Sequence, residues 1–245
     1  MGKRLFSCGV FIDLKKAFDT VDHKILLHKL DHYGFRGVIN KWFSSYLEGR
    51  TQTTQIGSFI SKRKNITCDV SQGSVLGPLL LLIYVNVIQE SSDKLKFFLF
   101  ADDTNAVYAD KNLKSLELTV NQELCKLFDW LTANKLTSNI KKTNFVIFRP
   151  AQRKLTDHPK IMIFDNGQNK NVTLECKEFV RYLGIIIDNN LSWKHHIDHV
   201  AIKMSRTVGL ICKLRHFLSR HTLLTIYRSL VAPYLTYGLT AWGQA

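Results

Sequence analysis

Three aspartates stand where a carboxylate is hard to keep. Asp13 ends an apolar run of strand length, and Asp102–Asp103 follow a second apolar run about ninety residues later. A charge at the end of a buried strand costs free energy unless something compensates it. Placed on adjacent strands, the three groups would converge, and their repulsion would then demand a divalent cation. Two hard cations held by carboxylates are suited to phosphoryl transfer, one activating a hydroxyl and the other neutralising a departing pyrophosphate. Each feature also has a plainer reading. An Asp-Asp pair is common turn chemistry, and Asp13 alone could cap the helix that follows it.

Hydrophobic periodicity outlines the elements that would hold these residues. Residues 5–14 (LFSCGVFIDL) form an apolar run of strand length. Helical patterning follows over 21–33 and 38–47, where Val38, Ile39, Trp42, Phe43, Tyr46 and Leu47 share a face. Gly34 and Gly49 stand at the expected helix stops. Residues 51–70 read as extended with a turn near 61–65, and 71–77 as a glycine-punctuated loop leading into an apolar helix. Over 94–109 two β-rich arms, KFFLFA and TNAVYA, meet at Asp102–Asp103, which predicts a hairpin with the acidic pair at its tip. A long amphipathic helix over 113–131 turns Leu116, Val120, Leu124, Leu127, Phe128 and Leu131 inward. Strands are expected at 144–148, 161–164, 172–176 and 182–187, and helix from Trp193 onward. The class is α+β, an antiparallel sheet packed on helices followed by a helical region, divided into 1–190 and 191–245.

Composition narrows the partners. Of 245 residues 45% are apolar and 22% charged, too hydrophobic for a disordered chain. Lys and Arg outnumber Asp and Glu by 34 to 20, and the resulting +14 favours a polyanion, nucleic acid before anionic membrane. The most apolar run, 75–87, is short and interrupted by Gly77 and Pro78, so it reads as a buried helix and no membrane span is expected. The amino terminus runs from Lys3 and Arg4 through apolar residues straight into Asp13, Lys15 and Lys16, unlike a secretory signal. Cys8, Cys68, Cys125, Cys176 and Cys212 are scattered with no CxxC pair, which suits reduced thiols in an intracellular compartment, nucleus and/or cytoplasm. His195, His196 and His199 have i, i+4 spacing but neither a cysteine nor an acidic partner pattern nearby, a weak zinc signal.

Five motifs carry a family resemblance. FIDLKKAFDTVDH (11–23), SQGSVLGPLLLLIYVN (71–86) and FADDT (100–104) resemble the first three palm motifs of reverse transcriptases from non-LTR, jockey-like retrotransposons. KLTSNIKKTNFVIF (135–148) and VRYLGIIID (180–188) are similar to the fourth and fifth, and all five follow the family's order across nearly the whole chain.

The resemblance implies an RNA-directed DNA polymerase that adds deoxynucleotides from their triphosphates to a DNA primer 3′-hydroxyl on an RNA (or DNA) template. Asp13, Asp102 and Asp103 would hold two Mg²⁺ ions (Mn²⁺ as a substitute), with the Leu14 carbonyl as a further ligand, while Asp19 and Asp22 would be structural. Phe18 would sit beneath the sugar and exclude a 2′-hydroxyl, and Gln72 and Gly73 would line the nucleotide and template. Lys142, within Asn-x-x-Lys-Thr, would approach the phosphates and protonate the leaving pyrophosphate; a solvated basic turn is the alternative. Tyr182, Leu183 and Gly184 would grip the primer end. Between residues 190 and 228 seven Lys or Arg face one Asp amid helically spaced apolar residues. Lys203, Arg206 and Lys213 would there track phosphates as a thumb does, against the alternative of a plain amphipathic surface helix.

Ser71 stands where the family more often has proline, and Val87 where aspartate commonly follows the asparagine, departures that bear on loop rigidity. Residues 1–190 would then form a palm with incomplete fingers and 191–245 a thumb-like region, with no endonuclease domain. A catalytically inactive nucleic-acid-binding remnant is the alternative function. A palm enzyme making RNA is a third, which Phe18 opposes. Nothing in the residue pattern assigns an oligomeric state.

Overall fold

A computed structural model describes residues 5–71, 73–150, 152–153, 155, 159–165 and 170–243. Strand β1 (Phe6–Asp13) buries Cys8, Val10 and Ile12 on one face and leaves Phe11 and Asp13 half-buried on the other. This is the two-residue period of a strand covered on one side. The chain then turns over 15–20 into α1 (His23–His32). Asp22 caps that helix, its carboxylate accepting from the N–H groups of Lys24 (3.0 Å) and Ile25 (3.1 Å). Burial alone would raise the Asp22 carboxyl, but the Lys135 ammonium at 2.5 Å and the two N–H groups bring it below its ordinary value.

Helix α2 (Val38–Leu47) has the span its periodicity predicts, yet of its apolar face only Leu47 is buried. Four two-residue strands follow, β2 (Thr51–Gln52) paired with β5 (Lys64–Asn65), and β3 (Gln55–Ile56) with β4 (Phe59–Ile60). The inner turn falls at Gly57–Ser58 rather than near 61–65, because Gly57 takes φ +60°, which a tight two-residue hairpin turn favours. Helix α3 (Leu76–Val85) buries Leu80, Leu81, Tyr84 and Val85 but exposes Leu79 and Leu82, so the apolar run is buried on one side only. A 3₁₀ segment, Asn86–Ser91, leads to β6 (Lys96–Phe100) and β7 (Asp103–Asp110). Helix α4 (Leu113–Ala133) buries all six residues assigned to its inner face.

The remaining strands are β8 (Asn144–Phe148), β9 (Met162–Asp165), β10 (Lys170–Thr173), β11 (Glu175–Cys176), β12 (Phe179–Tyr182) and β13 (Ile185–Asp188). The single strand expected over 182–187 is instead the return of a hairpin, since Leu183 and Gly184 both take positive φ and reverse the chain. The strand expected over 172–176 also divides: β10 pairs antiparallel with β9, whereas β11 pairs parallel with β8. Helices α5 (Lys194–Leu214), α6 (Arg220–Leu230), α7 (Ala232–Thr236) and α8 (Leu239–Trp242) follow.

The main sheet has the order β11-β8-β1-β7-β6, with β1–β7 and β7–β6 antiparallel. Helix α4 packs on β1 and β7 and covers the sheet's apolar face. By contacts the chain forms two compact units, Leu5–Phe145 with Leu155–Cys176, and Val146–Lys154 with Lys177–Ala245. Among the described residues no helix is long and apolar enough to cross a membrane.

Candidate active site

Pairing register brings the acidic residues together. In the antiparallel β1–β7 pair Asp13 is the direct partner of Asp103, so both side chains leave the sheet on one face. The β6–β7 hairpin closes with Phe100 opposite Asp103, leaving Ala101 and Asp102 as a two-residue turn with Ala101 at φ +52°. Asp102 and Asp103 are exposed and Asp13 is half-buried. The carboxyl of Asp103 is raised above its ordinary value, first by partial burial and then by the charges of Asp102 and Asp13. Asp103 therefore feels the charges of both Asp102 and Asp13 at the tip.

A second segment locks the end of β1. The Asn139 N–H donates to the Asp13 carbonyl (2.6 Å), and the Asp13 N–H donates to the Thr143 hydroxyl (3.4 Å). The N–H groups of Lys142 and Thr143 both donate to the Asn139 carbonyl (2.9 Å each), as does the Thr143 hydroxyl (3.0 Å). Lys15 N–H donates to the Thr137 carbonyl (2.7 Å), and Leu14 forms a β-bridge with Ser138. This turn holds the Lys142 Nζ 3.9 Å from Asp13 Oδ2. Sequence reasoning singled out Lys142 and overlooked Asn139 and Thr143. Their signal was present, because the spacing of Asn-x-x-Lys-Thr is that of the turn they close.

Phe18 is half-buried in the 15–20 turn, its carbonyl accepting the Val70 N–H (3.0 Å). That bond ties the first motif to the loop bearing Gly73, which takes φ +96° and has open space where a Cβ would stand. Gln72 lies outside the described residues. Tyr84 was also missed. Fully buried on α3, its hydroxyl donates to the Asn134 carbonyl (2.7 Å) and accepts the Asp22 N–H (3.4 Å), joining α1, α3 and the end of α4.

Tyr182, Leu183 and Gly184 form the tip of the β12–β13 hairpin in the other compact unit. There the Tyr237 hydroxyl donates to the Leu183 carbonyl (2.6 Å). Asp188, at the end of β13, accepts from the N–H groups of Asn190, Ser192 and Trp193. Lys203, Arg206 and Lys213 are exposed on α5 and fall on one helical face. His196 is buried against Trp242, and its Nδ1 accepts the Ile186 N–H. Among the described residues no group of three or more His, Cys, Asp or Glu side chains is placed to hold a metal ion, which applies to the histidines at 195, 196 and 199 and to Asp13, Asp102 and Asp103 alike.

Residues 3–187 match the family described as reverse transcriptase (RNA-dependent DNA polymerase). The chain belongs to the reverse transcriptase family. It is 28% identical over 97% of its length to a probable RNA-directed DNA polymerase from transposon X-element of Drosophila melanogaster. It is also 28% identical over its whole length to the RNA-directed DNA polymerase from mobile element jockey of the same organism. It covers 26% and 27% of those relatives, so it spans about a quarter of each. A solved structure of telomerase from Candida tropicalis, in complex with a fragment of telomeric RNA, is similar in fold. Its TM-score is 0.51 at 12% identity, over 98% of this chain and 39% of that one.

Reverse transcriptases generally use divalent metal ions. The donor set at the tip fits such an ion in kind: hard carboxylate oxygens from Asp13, Asp102 and Asp103, with repulsion that a cation would relieve.

Proposed function

We propose that this reverse transcriptase domain catalyses RNA-directed addition of deoxynucleotides to a primer 3′-hydroxyl, with two Mg²⁺ ions at Asp13, Asp102 and Asp103. The observation that carries the reading is the cross-strand pairing of Asp13 with Asp103, with Asp102 in the adjoining turn. Bound cations would activate the hydroxyl and offset charge on the pyrophosphate. The chain's own residues supply alignment. The Asn139–Thr143 turn fixes the backbone of Asp13 and presents the Lys142 ammonium beside it, where it would meet the phosphates and give a proton to the leaving group. Phe18 and the Gly73 loop, joined through Val70, would border the sugar and base, and the ring of Phe18 would exclude a 2′-hydroxyl.

Residues 1–190 would form the palm with incomplete fingers and 191–245 a thumb-like region, with the Tyr182–Gly184 tip toward the primer and Lys203, Arg206 and Lys213 toward phosphates. The family, the +14 charge and a fold shared with a telomerase solved with RNA support nucleic acid as the partner. A second reading, a nucleic-acid-binding remnant without catalysis, is favoured by the absence of a converged three-ligand group among the described residues.

Primer extension on an RNA template, with deoxy- or ribonucleotides and with Mg²⁺ or Mn²⁺, separates the readings. Incorporation of deoxynucleotides that is abolished by Asp102→Asn, with template binding retained, is expected. Polymerisation by that variant would refute the assignment.

A further inference from the structure

Residues 51–65 form an arm that adds nothing to the core. Every one of them is exposed, and strands β2 to β5 pair only with one another. At the tip Ile56 pairs with Phe59 across the Gly57–Ser58 turn, and Gln55 pairs with Ile60. The Ser61 N–H donates to the Thr54 carbonyl (2.9 Å), which continues that register, whereas nearer the base Gln52 pairs with Lys64. Thr53 therefore stands opposite both Lys62 and Arg63. Such a bulge twists a ribbon and re-aims its side chains.

Cross-strand partners share a face, so Ile56 and Phe59 occupy one side of the tip and Ile60 the other. They are 76%, 83% and 67% exposed. Full burial of an apolar side chain of this size is worth about 1.5–3 kcal/mol, which the arm's own packing leaves unclaimed. A tip that is apolar on both faces is shaped to enter between two flat surfaces rather than to lie on one. Behind it come Lys62, Arg63 and Lys64, with no acidic residue between Gly49 and Cys68. None of the three cations makes an ion pair among the described residues, and Asp69 beyond them is held by Arg50 (3.6 Å).

We propose that this arm binds double-stranded DNA, with Ile56, Phe59 and Ile60 wedged at a base step and Lys62, Arg63 and Lys64 on the flanking phosphates. Apolar wedges enter B-form DNA through the minor groove, which is about 7.5 Å deep. Lys62 follows Phe59 by three residues, about 10 Å at a strand rise of about 3.3 Å per residue. A tip at the groove floor thus brings the cations to the phosphate rim. The shallow minor groove of an A-form duplex would hold them clear of its phosphates. An anionic membrane would satisfy the cations and the apolar side chains, but it would also bury Gln55 and Ser58 in hydrocarbon at a cost. The Gln55 amide is held at the tip, donating to the Gly57 carbonyl (3.1 Å). An acidic protein surface would cover one face of the tip and leave the other in water.

The test measures binding of the whole chain to two helical turns of fluorescein-labelled DNA by anisotropy in EDTA, so the result is independent of polymerisation. Wild type is compared with Lys62→Ala/Arg63→Ala/Lys64→Ala and with Ile56→Ser/Phe59→Ser, and thermal melts verify that each is folded. Loss of three phosphate contacts is expected to weaken binding at least about tenfold and to reduce the slope of log K against log salt by about 2.7. The tip variant is expected to bind about threefold or more weakly with the slope unchanged. Energy transfer between dyes on the two DNA ends is expected to rise with wild type, because a wedge kinks the duplex, and not with the tip variant. The same triple substitution is expected to cost less on an RNA–DNA hybrid and on single-stranded DNA. Affinity of the folded triple variant within about twofold of wild type, binding by wild type without bending, or equal losses on the hybrid would each overturn the proposal. So would substitutions that release the chain from phosphatidylserine vesicles but leave DNA binding intact.

Discussion

Replacing Lys142 by alanine separates a proton donor from a solvated basic turn. The ammonium lies 3.9 Å from Asp13 Oδ2, with the two side chains 71% and 38% exposed. At that distance two unit charges in water interact by about 1 kcal/mol. Side-chain entropy and screening reduce such exposed pairs to about 0.2–1 kcal/mol. The backbone bonds that build the turn, from the N–H groups of Lys142 and Thr143 to the Asn139 carbonyl, survive the substitution. A loss of about 0.5 kcal/mol in folding free energy follows, a fall of roughly 1–2 °C in melting temperature for a chain of this size. A lysine that protonates the departing pyrophosphate is worth far more to the reaction. General acid catalysis contributes about 10²–10⁴-fold, or about 3–5 kcal/mol of barrier. Single-turnover primer extension with saturating Mg²⁺, alongside calorimetric melting, reads both quantities. Lys142→Ala is expected to lose at least a hundredfold in rate with melting nearly unchanged. A rate within about threefold of wild type would show that the ammonium only decorates the turn, and the proton-donor role would be withdrawn.

Three further outcomes follow from the geometry. Asp103→Asn removes a carboxyl whose pKa is raised, and a raised carboxyl contributes stability only at low pH, losing it as pH climbs through the folded value. The variant is therefore expected to melt higher than wild type at pH 7 in EDTA, and added Mg²⁺ is expected to stabilise wild type more than the variant. Asp22→Ala deletes a helix cap and its Lys135 partner, a loss of about 1–2 kcal/mol. Because the Asp22 pKa is lowered, that contribution exists above the unfolded value, near about 3.9, and disappears as pH falls through the folded one; denaturant titrations at several pH values measure it. Gly77→Ala would set a Cβ 2.4 Å from the Ser71 carbonyl oxygen, so the loop before α3 must shift, and a clear drop in soluble, cooperatively melting protein is expected.

The features legible in the sequence are those with a local period. Six α4 positions and the acidic hairpin follow from spacing alone, since a buried helix stripe and a β-turn each have a signature a few residues long. What long-range pairing decides was less legible. Nothing around Asp13 states that Asp103, rather than Asp102, is its cross-strand partner. The exposed face of α2 has the same periodicity a buried helix would have, so pattern cannot report that Val38 is 84% exposed. Asn139 and Thr143 were within reach, because a motif's spacing also encodes the turn that supports its reactive member.

Strand β1 lies between β8 and β7 at the heart of the main sheet, yet the residues facing Asp13 and its neighbours come about ninety positions later. At translation speeds of about 5–20 residues per second, FSCGVFID leaves the ribosome several seconds before anything exists to pair with it. Its other neighbour, β8, is made later still. During that wait the segment is a bare, β-prone stretch with both edges open, the kind of sequence that recruits strangers. Yield from cells should therefore depend on how well early chaperones shelter this stretch, and slowing synthesis upstream of residue 103 should lower the soluble fraction even with every native contact intact.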